Sequence, residues 1–199
     1  MRRRMKREDR RDALLDLAAE IIATQGADAL TLMTLADAAG ITKPVTYSQF
    51  GTREGLLLAL YRRYDERFFA DLHAGLAEKP LDLATAAAIF ADSFLSCVSK
   101  HGRVYTAAVA ALQSYADHRN IRTTNRAAFL DTLAPTIARL LPPESVPSAP
   151  RMIALYGAVE ELGHACLDGH LSPDDARAEV QRVFVNLLSR WDGQADAPV

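Results

Sequence analysis

The stretch that decides the fold is Thr31-Leu-Met-Thr-Leu-Ala-Asp-Ala-Ala-Gly40-Ile-Thr-Lys-Pro-Val-Thr-Tyr-Ser-Gln-Phe50-Gly-Thr-Arg-Glu-Gly-Leu-Leu-Leu-Ala-Leu-Tyr61. It predicts two short helices joined by a tight turn, because Thr31 and Thr42 can each cap a helix and Gly40 separates the two. Ala36 supplies the small side chain that steeply crossed helices need at their closest approach, and Gly40 tolerates the positive φ of the turn. The pattern is typical of a helix-turn-helix, in which Ile41 is the apolar plug of the turn.

The sequence on both sides of this stretch predicts an all-α fold. Apolar residues recur every three or four positions, and alternating β-branched runs are missing. We predict about nine helices: three short ones, a long fourth from Arg53 to about Glu78, and five more. A break at His101-Gly102 is expected before a short helix near 104–112. Four prolines between residues 142 and 150 predict a loop.

Charge and cysteine content narrow the class of protein. The chain has 199 residues and a net charge of −2, yet residues 2–11 carry seven basic side chains against Glu8 and Asp9. Such a basic end favours contact with a polyanion, although a solvated tail is the alternative. Cys97 and Cys166 make no disulfide framework, and neither a signal-peptide core nor a run of 18 apolar residues is present. These features predict a cytoplasmic protein without a transmembrane helix.

The segment from Thr31 to Tyr61 strongly resembles the segment that defines the TetR-like repressors. That family pairs a three-helix DNA-binding head with a larger helical body for ligand binding and dimerisation. The resemblance implies a homodimeric transcriptional regulator of double-stranded operator DNA, released by a small, mostly apolar ligand and without a cofactor. The expected domains are a DNA-binding domain at 9–55, preceded by a basic arm at 1–8, and a ligand-binding and dimerisation domain at 56–199.

The resemblance assigns DNA contacts residue by residue. Lys43, Pro44 and Ser48 stand where recognition-helix side chains meet base edges, and Tyr47 and Gln49 stand where phosphate is gripped. Arg53 corresponds to a basic position near the DNA backbone or the interdomain hinge. An N-terminal arm can also enter the adjacent minor groove. The predicted DNA-contacting residues are Arg4, Thr31, Thr42, Lys43, Pro44, Val45, Tyr47, Ser48, Gln49 and Arg53.

Four positions carry a separate expectation. Val45 replaces the usual threonine and Met33 a frequent basic residue, so a contact is expected to be lost at each. Thr46 replaces an apolar core residue, and its hydroxyl is expected to bond a backbone carbonyl. Phe50 is expected to pack the recognition helix onto the first helix.

Helical phase predicts two further surfaces in the C-terminal part. Small residues on one face of the seventh helix would let a second chain approach closely, so a C2 dimer through the last two helices is expected. Its predicted interface comprises Ala154, Gly157, Ala158, Glu161, Ala165, Val180, Phe184 and Leu187. Polar groups that continue apolar stripes predict a ligand pocket. Its predicted lining is Phe94, Cys97, Tyr105, Tyr115, His118, Arg122, Asn125, Phe129, Tyr156, Glu160 and His164.

Two other functions are weighed against this one. Glu160 and His164, four residues apart, could place two metal ligands on one helix face of an enzyme. However, no third ligand, H-E-x-x-H motif, G-x-S-x-G motif or phosphate-binding glycine loop accompanies them. No catalytic or metal-binding residue is therefore predicted. The other alternative is a helical ligand-binding scaffold whose head has lost DNA binding, which Val45 and Met33 slightly favour.

Overall fold

The computed structural model describes residues 7–77, 82–142 and 147–189. Within these ranges the chain contains no strand, and the all-α prediction is confirmed. Two single 3₁₀ turns, Ala27–Ala29 and Ala116–His118, lie between consecutive α-helices. The eight α-helices of the described ranges are α1 (Arg7–Gln25), α2 (Leu32–Ala39), α3 (Lys43–Phe50), α4 (Arg53–Ala77), α5 (Leu83–Leu112), α6 (Ile121–Leu140), α7 (Ala149–Leu167) and α8 (Pro173–Ser189).

The predicted break at His101-Gly102 is wrong, because α5 runs through both residues without interruption. A helical glycine costs only about 1 kcal/mol relative to alanine, so packing can override it. Gly102 is buried, and the His101 ring stacks on the Tyr64 ring with 4.6 Å between centroids. Two predicted helices therefore form one, so the described ranges contain eight α-helices where about nine were expected.

The chain forms two compact units. The head unit comprises the residues up to Glu66 together with His101–Ile121, and the body unit comprises Arg67–Lys100 and the residues from Arg122 onward. The predicted division into domains 9–55 and 56–199 concerns function and stays a prediction.

Each unit has its own apolar core. The core of the head unit joins α1, α2, the start of α4 and the end of α5; its fully buried members include Ala18, Leu30, Leu35, Leu56, Leu57, Leu60, Ala108 and Leu112. The core of the body unit is aromatic at its centre, where Phe90 contacts Phe94, Phe129 and Phe184 at centroid distances of 5.3–6.1 Å. Burial of these apolar side chains from water is the main force holding each unit together.

One helix in the described part of the chain, α5, is long and apolar enough to cross a membrane by length and composition alone. Its apolar side chains contribute to the cores of both units, with Phe90, Ala91, Ala108 and Leu112 fully buried.

Candidate nucleic-acid interface

The turn between α2 and α3 has the geometry that the sequence predicts. Gly40 adopts the left-handed conformation, with φ 61° and ψ 33°, and ends α2. The Ile41 amide donates to the Ala36 carbonyl at 3.0 Å, and Ala36 is fully buried. The small side chain and the positive φ therefore occur at the two positions where a steep crossing needs them.

The threonines that begin the two short helices differ in what their hydroxyls do. The Thr31 hydroxyl accepts from the Thr34 amide at 3.0 Å, while the Thr31 amide donates to the Thr34 hydroxyl at 2.9 Å. This reciprocal pair is a capping box and occupies the Thr31 side chain. Thr42 also begins a helix, but its exposed hydroxyl makes no capping bond. Of the two, Thr42 is the better placed to meet a ligand.

The inner face of α3 is fixed to α2 and α1. Thr46 is fully buried, and its hydroxyl lies 2.9 Å from the carbonyls of both Leu32 and Lys43. This confirms that the hydroxyl in an apolar position is satisfied by backbone. Phe50 is also buried, and the Arg11 guanidinium lies 4.9 Å from its ring centre. Arg11 Nη1 donates to the Gln49 carbonyl at 2.7 Å, which holds the end of α3 against α1.

The outer face of α3 is exposed. Lys43, Pro44, Tyr47 and Ser48 follow the helical spacing i, i+1, i+4, i+5 and all lie at the surface. Tyr47 is 55% exposed, more than any other large apolar side chain described, so it is not a core aromatic. The Ser48 hydroxyl donates to the Val45 carbonyl at 2.8 Å and keeps its lone pairs accessible. One ammonium, a phenol and a hydroxyl therefore project from a helix narrow enough for a major groove.

The other predicted DNA contacts lie beside this face or away from it. The side chains of Val45 and Gln49 are half-buried. Met33 is 48% exposed near the start of α2, so an apolar side chain occupies a surface position where a basic one could contact DNA. Arg4 lies outside the described residues.

Arg53 is bound within the head unit. Its Nε donates to the Leu30 carbonyl at 2.7 Å, and its Nη2 donates to the Ala27 carbonyl at 2.7 Å. Its Nη1 lies 3.2 Å from the Tyr115 hydroxyl, and Asp28 lies 3.7 Å from Nη2. With its three nitrogens engaged, Arg53 holds the segment between α1 and α2 onto the start of α4.

Three of the predicted ligand-binding residues belong to the head unit and are bound there. Tyr115 contacts Arg53, and His118 Nε2 lies 3.0 Å from Glu54. The Tyr105 hydroxyl donates to Asp65 at 3.1 Å. Burial raises the pKa of the Asp65 carboxyl above its usual value, although hydrogen bonds from Tyr61 and Tyr105 act in the opposite direction.

The eight predicted ligand-binding residues of the body unit include a connected group. Phe129 meets Phe90 and Tyr156 edge to face, at 5.5 and 5.2 Å between centroids. The Tyr156 hydroxyl donates to Glu160 Oε1 at 2.7 Å, and Arg122 Nη2 donates to Oε2 at 3.1 Å. Both oxygens of the Glu160 carboxylate are therefore engaged. Arg122 is exposed; the remaining members, which are half-buried, are Phe94, Cys97, Asn125 and His164.

The described residues contain no group of three His, Cys, Asp or Glu side chains able to hold a metal ion. Glu160 is engaged by Arg122 and Tyr156, so its carboxylate is not directed at His164 as a free ligand.

The predicted dimer residues separate into exposed and buried sets. Ala154, Gly157 and Glu161 are exposed on α7, and Ile153, which was not in the predicted interface, is 43% exposed beside them. By contrast, the body core buries Val180 and Phe184 on α8, at 0% and 1% exposure. The half-buried members are Ala158, Ala165 and Leu187. A face for a second chain would therefore be formed by α7 rather than by those two α8 side chains.

Two glycines on α7 show where this helix has open space. A Cβ at Gly157 would meet nothing within 4 Å, whereas a Cβ at Gly163 would lie 2.8 Å from the Phe94 ring. Gly163 thus serves close packing inside the body unit, and Gly157 lies on an uncovered face.

Comparison with known proteins supports the head assignment. The model of the family described as "Bacterial regulatory proteins, tetR family" matches residues 14–60. The HTH-type transcriptional regulator AlkX of Mycobacterium tuberculosis is 36% identical over 66 residues, 33% of this chain and 31% of that protein. The HTH-type transcriptional repressor ComR of Escherichia coli is 33% identical over 87 residues, 44% of this chain and 41% of that protein. The chain thus spans less than half the length of these curated relatives.

Likeness to solved structures covers nearly the whole chain. A TetR-like transcriptional regulator from Rhodococcus sp. RHA1 superposes with a TM-score of 0.70 at 21% identity, over 94% of this chain and 100% of that one. At this identity the likeness concerns the fold.

Proposed function

We propose that the chain is a TetR-like helix-turn-helix protein and that it regulates transcription by binding duplex DNA through the outer face of α3. The observation that supports this most is the contrast between the two faces of that helix. Thr46 and Phe50 fix one face to the head core, while Lys43, Tyr47 and Ser48 project outward. A rigid helix that presents short polar groups and one cation suits base edges and phosphates in a major groove.

The N-terminus of α3 adds a positive electrostatic potential that favours phosphate binding. The unpaired amides of a helix N-terminus carry partial positive charge, and Thr42 leaves its hydroxyl free of capping there. Lys43 adds a full positive charge at the same end. In the proposed complex this end of α3 therefore lies against the DNA backbone, and Ser48, one turn further on, faces the base edges. The basic arm at 1–8 adds contacts that do not depend on DNA sequence.

The DNA proposal is tested by selecting bound sequences from a random duplex library. The affinity of the protein for the most strongly enriched sequence is then measured by fluorescence anisotropy. Ser48→Ala is expected to change which bases are selected, whereas Ser114→Ala is expected to select the same bases as the wild type. The two variants are matched because both serines are exposed and each substitution removes one hydroxyl bond to a backbone carbonyl. Ser48 bonds the Val45 carbonyl at 2.8 Å, and Ser114 bonds the Ala111 carbonyl at 2.7 Å. If no sequence is enriched by the wild-type protein, the alternative scaffold without DNA binding replaces this proposal.

A C2 dimer through α7 is the proposed active form, because it presents two heads to a palindromic site. Support comes from the exposed face with Ile153, Ala154 and Gly157, where small side chains permit close helix approach. In such a dimer the two recognition helices would enter successive major grooves about 34–36 Å apart.

The dimer proposal is tested with Gly157→Leu and sedimentation velocity. Gly157 is exposed and a Cβ there meets no atom within 4 Å in the single chain, so the fold should be kept while the dimer dissociates. Ala134→Leu, at an exposed position of α6, is the matched control and should leave the dimer intact. A Gly157→Leu protein that stays dimeric would locate the interface elsewhere.

We also propose that the protein is a cytoplasmic repressor released by a small, mostly apolar and uncharged ligand of the body unit. Arg122 and Glu160 neutralise each other, so neither charge needs a partner from the ligand. The aromatic rings beside them favour an apolar body with one polar group able to bond Tyr156. Ligand and DNA would then lower each other's affinity by the same factor.

Release is tested by a thermal-shift screen of hydrophobic compounds that are neutral, anionic or cationic, followed by displacement of bound DNA with each hit. Asn125→Phe should abolish binding of the hit and spare DNA binding. A hit that raises the melting temperature of the protein and leaves DNA binding unchanged would contradict release. A screen that yields only anionic or cationic hits would contradict the expected neutrality.

A further inference from the structure

A cleft of about 290 Å³ lies between α1 and α4 in the head unit. Three arginines, Arg11, Arg62 and Arg63, contribute to its walls, and Leu58 and Ala59 of α4 supply apolar surface. None of these residues belongs to the outer face of α3 or to the proposed ligand site of the body unit. The cleft therefore needs an explanation of its own.

Arg63 gives the first indication of what the cleft binds. Only 8% of this residue is exposed, and its Nη1 donates to Asp16 at 2.7 Å and to the Asp12 carbonyl at 3.2 Å. Its Nε, in contrast, is buried and has no acceptor among the described residues. A buried donor without an acceptor is costly, so the protein's own acceptors leave this guanidinium incompletely satisfied.

The other two arginines provide the same chemistry nearer to solvent. Arg62 is exposed, and Arg11 uses Nη1 for the Gln49 carbonyl at 2.7 Å. The cleft also contains the carboxylates of Asp12 and Glu66, but both residues are exposed and water can satisfy them. Three guanidinium side chains therefore line the cleft, and a guanidinium prefers an acceptor that is anionic and planar or tetrahedral.

We propose that this cleft binds a small organic anion through its carboxylate or phosphate group. The oxyanion bonds Arg62 and Arg63, and a short apolar portion lies against Leu58 and Ala59. The volume is at the lower limit for ligand pockets, so the molecule is of the size of one substituted ring. Arg11 connects the cleft to the last turn of α3, because it also bonds Gln49 and covers the Phe50 ring.

The proposal is tested on the full chain with benzoate, phenyl phosphate and benzamide, each titrated at constant ionic strength and followed by amide NMR. At least one of the two anions should bind saturably and shift the amide signals of Gln49 and Phe50. Whichever anion binds more tightly identifies the preferred head group. Neutral benzamide should not bind; equal binding of benzamide and both anions would overturn the proposal, as would the absence of saturable binding by either anion.

The matched variants are Arg62→Gln and Arg67→Gln, which remove the same charge from exposed positions of one helix. Arg62→Gln should weaken anion binding at least about tenfold, the loss expected for a charge-assisted hydrogen bond. Arg67 does not line the cleft, so Arg67→Gln should leave the affinity unchanged. If both variants bind the anion like the wild type, it binds elsewhere and the proposal is wrong. The proposal is equally wrong if Arg62→Gln weakens binding of duplex DNA and leaves anion binding unchanged.

Discussion

In the head unit, Lys43, Tyr47 and Ser48 stand exposed on a helix whose other face is fixed, whereas in the body unit Arg122, Tyr156 and Glu160 are bound to one another. The first arrangement keeps polar groups available for a large, hydrated and charged partner. The second satisfies its charges internally and leaves aromatic surface as the main recognition element. The two proposed sites therefore differ in chemistry: the head site would bind phosphates and base edges, and the body site would bind an apolar ligand.

The largest effect that could break this comparison is expected at Arg53. If Arg53 holds the head together rather than contacting DNA, Arg53→Ala should lower the free energy of unfolding by about 2–3 kcal/mol, because two carbonyls and Tyr115 lose a charged donor. Urea unfolding measures this. Arg67→Ala, an exposed arginine on the same helix, should change stability by less than about 0.5 kcal/mol. Unaltered stability of Arg53→Ala, together with weaker DNA binding, would restore its role as a DNA contact.

A smaller effect is expected where the inner face of α3 is fixed. Thr46→Val keeps the shape of the side chain and removes the donor to the Leu32 carbonyl, which should cost about 1 kcal/mol. Thr123→Val, at an exposed position of α6, is the matched control and should be close to neutral. Equal unfolding curves for the two variants would mean that the buried hydroxyl contributes nothing to the rigidity of the head.

In the body unit the expected effects are smaller again and unequal. Tyr156→Phe should cost up to about 1 kcal/mol, because a bond of 2.7 Å to a carboxylate is lost. Arg122→Gln should cost less than about 0.5 kcal/mol, since its side chain is 58% exposed and salt screens the pair. A larger loss of stability in Arg122→Gln than in Tyr156→Phe, measured by thermal unfolding, would show that the ion pair and not the phenol holds Glu160.

The smallest effect is expected at Asp65 and depends on pH. Because its folded pKa lies above 3.8, its value without burial, the ionised carboxyl costs stability at neutral pH. That cost disappears as the pH falls through the folded pKa. Asp65→Asn should therefore be slightly more stable than the wild type at pH 7, and the difference should vanish below pH about 3.8, the unfolded pKa. A variant that is less stable at pH 7 would show that hydrogen bonds to the ionised form outweigh burial.

The head was predictable because its determinants are short-range. Gly40, Ala36 and the capping pair Thr31 and Thr34 act within a few residues of one another, so a short sequence motif is enough to predict their geometry. The hydrogen bond of the Thr46 hydroxyl to a backbone carbonyl could also be predicted, because this residue stands at a core position of the motif. Arg53 could not, because its partner Tyr115 lies 62 positions away and no local pattern reports such a contact.

The body was predictable only as helices and faces. Helical phase put Phe184 and Gly157 on candidate interface stripes, but it does not say which stripe a neighbouring helix covers. The continuity of α5 through Gly102 was missed for the same reason: it depends on packing between distant parts of the chain. Burial against other elements outweighs the low helix propensity of glycine.

The exposed face of α3 is the centre of the account, and Lys43 tests it most directly. The measurement is the affinity of wild type, Lys43→Ala and Lys100→Ala for the selected duplex at several salt concentrations. Both lysines are exposed, but only Lys43 lies on α3. Lys43→Ala should weaken binding about tenfold, with a slope of log K against log salt shallower by about one unit if it contacts phosphate. Lys100→Ala should leave affinity and slope unchanged. Identical affinities for all three proteins would contradict DNA binding through α3.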